Sequence, residues 1–200
     1  FAENQGRFED VMNEEVEFFA EYDIYRIFLS KKAFVFGRSE ELSEEELHER
    51  REKREHGEPV EPIKWYYFKQ EFLNANEAVS IFPAEMNHFT RNFLNPQNPK
   101  EITKSRCYKR LKYKNIYENI DLVITLPDEG GLKYEFHVRP GGAPSDIQMG
   151  YEDIEVKLDE EGNLELTNDY RAFIDKAPIS FLEGKDIETD FKLKGNKVHF

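Results

Sequence analysis

The sequence predicts an all-β fold, an antiparallel β-sandwich-like domain that covers residues 1–200 as a single unit. Short runs of alternating apolar and polar residues recur about every ten residues, a spacing typical of sandwiches and barrels. The 17 Phe and 10 Tyr favour strands, whose pleated faces pack aromatic side chains well. Gly-Asn steps at 162–163 and 195–196, each between strand-like flanks, indicate hairpin turns.

Four strands are predicted before residue 118. Residues 16–30 (VEFFAEYDIYRIFLS) and 33–37 (AFVFG) are predicted to pair as a hairpin that turns near residues 30–32. A third strand is predicted at 64–73 (KWYYFKQEFL). The run at 106–117 (RCYKRLKYKNIY) alternates apolar and basic residues, which indicates a strand with one buried face.

Six further strand-like runs complete the series: IDLVITL, LKYEFHVR, DIQMGYE, IEVKLDEEGNLELT, AFIDKAPISFL and TDFKLKGNKVHF. Two glycine pairs, at 130–131 and 141–142, lie between these runs. A phosphate-binding loop would place such glycines before a helix, but strand-like alternation resumes after both pairs. The glycines are therefore predicted to form turns. The IDLVITL strand and the PGGAPSD turn at 140–146 are expected at the centre of the packing.

Residues 39–62 interrupt this pattern with a nearly continuous run of charged residues. Ser43 and Glu46 have the spacing of a helical capping box, but no apolar stripe would hold such a helix against a core. The segment is predicted to be a charged helical or mobile excursion from the β domain. The linker-like run NPQNPKE leaves an alternative open, a two-lobed chain divided near residues 96–104.

The charge of the chain narrows the classes of partner. Acidic residues outnumber basic ones by 41 to 28, which gives a net charge of −13. Nucleic-acid binding needs a concentrated cationic face and is therefore not expected. No apolar run approaches the ~20 residues of a membrane-spanning helix. The single cysteine, Cys107, allows no internal disulfide and is predicted to be a packed side chain.

No catalytic residue and no metal site is predicted. The histidines are scattered without metal-ligand spacing on one element. They are His48, His56, His88, His137 and His199. Glu135, His137 and Arg139 share one strand face, which is interpreted as an exposed face or a small polar site. No cofactor is expected, although carboxylates in the loops could bind a surface Ca²⁺ weakly.

Residues 115–166 resemble an uncharacterised domain near the N-terminus of large exported proteins of the Bacteroidota and some other bacteria. In that family N-x-Y-x-x-I-D-L-V precedes L-x-Y-(D/E)-F-x-V-x-P-G-A-x-P-S-x-I and an L-D-x-x-G-N-L hairpin. The matching positions, interpreted as a structural signature, include Asn115, Tyr117, Asp121, Tyr134, Phe136, Pro140, Gly141, Pro144, Ser145, Asp159, Gly162 and Asn163. FAENQGRF at one end and VHF at the other extend the resemblance over nearly the whole chain. Gly142 departs from the family pattern, which usually has Ala there.

The resemblance implies location more than activity. Members are typically exported, and β-propeller-type (SBBP) repeats, other β-sandwich modules or a C-terminal sorting domain often follow. A secreted or cell-surface location within a larger multidomain chain is therefore expected. The start at Phe1 without an initiator Met fits removal of an export signal or excision from a longer chain.

Two classes of function follow from these expectations. The first is a non-catalytic module for adhesion, for binding an extracellular glycan or a surface protein, or for structural spacing. The alternative is a hydrolase-type enzyme or accessory whose carboxylate pair the sequence does not identify.

Overall fold

The computed structural model describes residues 1–22, 24–95, 98–128 and 130–200. Strands account for 53% of the chain and helices for 8%, which confirms the predicted all-β, sandwich-like class. The strands are β1 (Ala2–Glu3), β2 (Phe18–Tyr22), β3 (Tyr25–Leu29), β4 (Ala33–Ser39), β5 (Trp65–Phe72), β6 (Ser80–Asn95), β7 (Asn98–Tyr117), β8 (Ile120–Thr125), β9 (Lys133–Val138), β10 (Gln148–Glu152), β11 (Glu155–Leu158), β12 (Leu164–Asn168), β13 (Arg171–Asp175), β14 (Ser180–Leu182), β15 (Lys185–Ile187), β16 (Lys192–Lys194) and β17 (Lys197–His199). One helix, α1 (Glu44–Glu55), and a 3₁₀ turn, Pro144–Asp146, complete the described elements.

Most strands belong to one large antiparallel sheet with the order β16-β17-β10-β5-β4-β3-β2-β1-β7-β8-β9, and β6 pairs with β7. Ring contacts show that the two halves of this sheet face each other. Phe34 of β4 lies 6.2 Å from Tyr113 of β7, and Phe72 of β5 lies 6.2 Å from Phe136 of β9. Strands β2–β5 and β10 therefore form one layer of the sandwich, and β7–β9 belong to the other.

An apolar core fills the space between the layers. Phe34, Leu111, Tyr113 and Leu122 are fully buried there. They point inward because successive strand residues project to opposite faces of a sheet. A buried phenol needs a hydrogen-bond partner, and the Tyr113 hydroxyl donates to the carbonyl oxygen of Ser30 at 3.0 Å.

A second, smaller cluster covers the outer face of β2–β4. The ring of Phe8 packs edge-on against Phe19 at 4.9 Å and against Phe28 at 4.8 Å. Cys107 is buried in this cluster, as predicted for a packed side chain. Both faces of β2–β4 are therefore covered, which explains why their apolar runs are nearly continuous.

The three-stranded sheet β11–β13 packs beside the sandwich rather than extending it. Phe173 of β13 lies 5.0 Å from the ring of Phe68 and 6.2 Å from that of Tyr25. Tyr170 stacks on Tyr66 at 3.7 Å. These contacts fix β13 over β3–β5, where a pocket remains between them.

Several strand expectations need correction. The run at 16–30 forms two strands, β2 and β3, with Tyr22 opposite Tyr25. Apolar and polar residues still alternate where β2 ends, at 20–24, so the run resembles one strand in the sequence. The 16-residue β6 was not predicted, because a register shift between Met86 and Thr90 interrupts its alternation.

The turn at 140–146 does not lie at the centre of the packing, and part of the alternative boundary near 96–104 is strand. Residues 98–104 of the alternative boundary belong to β7, which pairs with β6, whereas 96 and 97 lie outside the described residues. The turn at 140–146 lies at the surface, where Pro140, Pro144 and Ser145 are exposed. Its glycines allow the turn to form, and the next buried residue along the chain is Ile147.

Helix α1 confirms the charged helical excursion. The Glu46 N–H donates to Ser43 Oγ at 3.2 Å, and the Ser43 N–H donates to Glu46 Oε2 at 2.7 Å, so both halves of the capping box are present. No residue of α1 is buried. Local capping and charge order, not packing, therefore maintain this helix.

The substitution Ser43→Ala is expected to loosen α1 without weakening the rest of the fold. Loss of an N-cap hydroxyl typically costs about 1 kcal/mol, and the cost should stay local because α1 has no buried contacts. Amide hydrogen exchange in the first turn should accelerate about fivefold, with an unchanged urea midpoint. Ser80→Ala, at an exposed serine of β6, is the control. A lower midpoint for Ser43→Ala alone would show that α1 unfolds together with the sandwich.

Candidate functional site

The signature residues Asn115 and Asp121 form a structural network at the β7–β8 hairpin. Asn115 has a left-handed φ of 53°, and its N–H donates to Asp121 Oδ1 at 2.9 Å. Lys112 Nζ lies 2.9 Å and Arg139 Nη1 lies 3.3 Å from Asp121 Oδ2. Arg139 also donates to the side-chain oxygen of Asn115. These contacts therefore hold Asn115 in its left-handed conformation at the β7–β8 hairpin.

The charge of Asp121 is stabilised where it lies. Burial alone would raise its pKa, but the Asn115 N–H, Lys112 and Arg139 outweigh burial and hold the pKa below its ordinary value. Only 3% of the side chain is exposed, whereas Lys112 is 45% and Arg139 41% exposed. Asp121 therefore has a structural role, and its buried carboxylate is not accessible to a ligand.

The remaining signature residues also have local structural contacts. Tyr134 and Phe136 pack against the core from the inner face of β9. Gly141 has a φ of +91° in the surface turn. Asp159 Oδ1 accepts the N–H of Asn163 at 2.9 Å across the β11–β12 hairpin. The other members of these two turns are Pro140, Pro144, Ser145 and Gly162.

Glu135 and His137 lie on the outer face of β9, and Arg139 follows directly after the end of this strand. Glu135 pairs with Lys133 at 3.3 Å, and Arg139 is bound to Asp121. His137 is exposed and lies opposite Asp121 in the register of β8 and β9. These side chains line neither the cleft at the β7–β8 end of the sandwich nor the pocket beside β13.

A cleft of about 490 Å³, here called the polar cleft, lies at the β7–β8 end of the sandwich. Three segments meet there: the loop after β5, the end of β7 with its turn into β8, and the start of β10. The lining residues are almost all carboxamides and carboxylates. They are Asn74, Asn76, Asn115, Tyr117, Glu118, Asn119, Asp146 and Gln148.

Some of these residues build the wall of the polar cleft. Asn76 Oδ1 accepts the Ala78 N–H at 3.0 Å, which fixes the loop after β5. The Tyr117 hydroxyl donates to the carbonyl oxygen of Gln148 at 2.8 Å, which ties β7 to β10. Burial raises the pKa of Tyr117 to about 12, so this hydroxyl remains a donor at neutral pH.

Other side chains of the polar cleft are available to a ligand. Within the described part of the chain, five of them make no hydrogen bond or ion pair: Asn74, Glu118, Asn119, Asp146 and Gln148. Carboxamides both donate and accept hydrogen bonds, and carboxylates accept them. The polar cleft can therefore bind a ligand that carries several hydroxyl or amide groups.

A second cavity of about 350 Å³, here called the acid pocket, lies between β3–β5, the segment leading into β9, and β12–β13. Its walls are mainly apolar and include Ile27, Phe36, Phe68, Leu132, Leu166 and Phe173. One carboxylate, that of Asp175, lies among them. The Tyr134 hydroxyl donates to Asp175 Oδ2 at 2.6 Å.

The surroundings of Asp175 disfavour its charge. Burial raises the pKa of Asp175 to about 6, and the hydrogen bond from Tyr134 only partly offsets this effect. Burial also raises the pKa values of the Tyr134 and Tyr151 phenols well above their ordinary range, so both stay neutral. The Tyr151 hydroxyl is buried and has no hydrogen-bond partner among the described residues. Perturbed groups of this kind are enriched at functional sites.

Neither cavity was identified from the sequence, but Asp175 had a detectable signal. In the run AFIDKAP, Asp175 follows Phe173 by two residues and therefore points to the same, inward face of β13. An acid on the apolar face of a strand indicates a buried charge. The residues of the polar cleft show no such local pattern.

Across the described ranges, no group of three or more His, Cys, Asp or Glu side chains is placed to hold a metal ion. No helix among the same residues is long and apolar enough to cross a membrane.

Comparison with known proteins gives one match. A family described as "Domain of unknown function (DUF7948)" matches residues 1–200. No curated protein and no solved structure matches the chain.

Proposed function

We propose a binding function for this chain, which belongs to the DUF7948 family of domains of unknown function. In this proposal the chain is a non-catalytic module of a larger secreted or cell-surface protein, and its polar cleft binds an extracellular glycan. The supporting observation is the set of five unpaired polar side chains around a cavity of about 490 Å³.

The chemistry of the polar cleft favours a neutral glycan. Sugar hydroxyls both donate and accept hydrogen bonds, and the carboxamides of Asn74, Asn119 and Gln148 can satisfy both roles. Glu118 and Asp146 would repel a uronic acid or a sulfated sugar at this site. The net charge of −13 acts in the same direction at longer range.

A hydrolase remains the second candidate because Glu118 and Asp146 line the same cleft. Both residues are exposed. The general acid of a glycosidase usually lies in apolar surroundings that keep it protonated. The exposure of both carboxylates therefore favours binding over catalysis.

Removing two free side chains should weaken glycan binding. The double substitution Asp146→Ala and Gln148→Ala is expected to lower affinity about 5- to 150-fold, since each hydrogen bond contributes roughly 0.5–1.5 kcal/mol. A glycan array would identify the ligand, and calorimetry would measure its affinity. Asp186→Ala, at an exposed residue of β15, is the matched control.

The same samples separate the alternatives. Equal affinity of the double variant and the parent would place binding elsewhere, and an array without ligands would contradict glycan binding. Release of reducing ends from a bound glycan, abolished by Glu118→Gln, would replace the binding module with a hydrolase. A thermal-shift titration with Ca²⁺ tests the weakly bound surface cation, because a ligand of the folded state raises its midpoint.

A further inference from the structure

The acid pocket offers a binding site of a different chemical class from the polar cleft. Its volume of about 350 Å³ suits a small molecule such as a substituted aromatic ring. The rings of Phe36, Phe68 and Phe173 form much of its wall. Phe36 and Phe68 stack with centroids 4.9 Å apart, and Phe173 stands against Phe68 at 5.0 Å. The wall is therefore a set of mutually supported rings.

The charge in the acid pocket has no cationic partner within the described residues. Asp175 accepts a hydrogen bond from the neutral Tyr134 hydroxyl and forms no ion pair. Arg26 also lines the pocket, but its Nε lies 2.9 Å from Glu21 and its guanidinium stacks 3.7 Å above the ring of Trp65. An ionised carboxylate among apolar groups is costly unless a cation joins it.

We propose that the acid pocket binds a small protonated amine, with the ammonium group against Asp175 and the apolar body against the rings of Phe36, Phe68 and Phe173. The ammonium supplies the positive charge that the protein does not. Aromatic faces attract cations as well as apolar groups. A neutral ligand of the same shape would contact the apolar walls but would leave the Asp175 carboxylate without a cation.

Binding should depend on pH through Asp175. The titratable or charged groups around it are Tyr25 and Arg26 of β3, Tyr134 of β9 and Tyr151 of β10. The pKa of Asp175 is about 6, so this carboxyl is mostly ionised at pH 7.5 and mostly protonated at pH 5. The affinity for an amine should therefore fall about tenfold between these two pH values.

The test compares phenethylamine with its neutral counterpart phenethyl alcohol, by calorimetry and by NMR shifts on the whole chain. The amine should bind more tightly, and Asp175→Asn should weaken its binding about 10- to 100-fold, as expected for a charged hydrogen bond. Tyr134→Phe keeps the carboxylate but removes a hydrogen bond that favours its charge, so it should weaken amine binding less than Asp175→Asn does. Glu165→Gln, an exposed carboxylate on the neighbouring β12, is the matched control and should change nothing.

Three results would overturn the proposal. They are equal affinity for the amine and the alcohol, unchanged amine binding in Asp175→Asn, and absence of saturable binding by the parent chain. None of these results bears on the polar cleft, so the glycan proposal is tested separately.

Discussion

Replacing Asp121 with alanine is expected to lower the free energy of unfolding by about 2–4 kcal/mol, because it removes a buried charge with three hydrogen-bonding partners. The Asn115 N–H would lose its acceptor in a backbone conformation with φ 53°. Lys112 and Arg139 are partly exposed and would regain water. That recovery keeps the cost below the value for a fully enclosed ion pair.

Urea unfolding of Asp121→Ala and of Glu135→Ala would measure this effect. Glu135 is a half-exposed carboxylate on the adjacent strand, and it pairs with Lys133 at 3.3 Å. Its removal should cost less than about 1 kcal/mol. If both variants lost the same free energy of unfolding, Asp121 would stabilise the fold no more than an exposed ion pair does. Its burial and its hydrogen bond to Asn115 would then contribute nothing.

The same residue gives a pH signature. The pKa of Asp121 is lower in the folded than in the unfolded chain, whose value is near 3.8. Its stabilisation is therefore fully present above that unfolded value and is lost as the pH falls through the lower, folded pKa. In Asp121→Asn the acid-dependent loss of stability below about pH 4 should be smaller than in the parent.

The large features of the fold were predictable because they have local causes. Alternation of Tyr134 and Phe136 with polar residues indicated β9, and the spacing of Ser43 and Glu46 indicated the start of α1. Strand β8 shows no such alternation, because five of its six residues are buried, and its nearly continuous apolar run indicated the strand instead. Its outer face is covered because Lys112 and Arg139 lie over Asp121.

The cavities were not predictable because they arise from pairing between distant segments. Gln148 reaches the loop after β5 only because β10 pairs with β5, with Met149 opposite Phe72. No short pattern in the sequence specifies that register. Asp175 meets Tyr134 because β13 packs beside β9, a contact that joins two different sheets. Sequence patterns locate strands, whereas these sites depend on which strands become neighbours.

The substitution Asp175→Asn is expected to stabilise the folded chain at neutral pH, by about 3 kcal/mol, in contrast to most changes at buried positions. The pKa of Asp175 is about 6 when folded and 3.8 when unfolded. The folded state therefore prefers the protonated form. Its stabilisation is fully present below about pH 4 and is lost as the pH rises through about 6. Asparagine has no charge to desolvate, and its side-chain oxygen can still accept from Tyr134.

Unfolding curves of Asp175→Asn and the parent at several pH values would test this prediction. The two proteins should have similar stability near pH 4 and should separate progressively up to about pH 7. Glu165→Gln, on the exposed face of β12, should follow the parent throughout. A destabilised Asp175→Asn at neutral pH would show that the carboxylate is satisfied within the fold. A stabilised variant would mean that the chain retains a costly charge in the acid pocket, as expected of a residue kept for a ligand rather than for the fold.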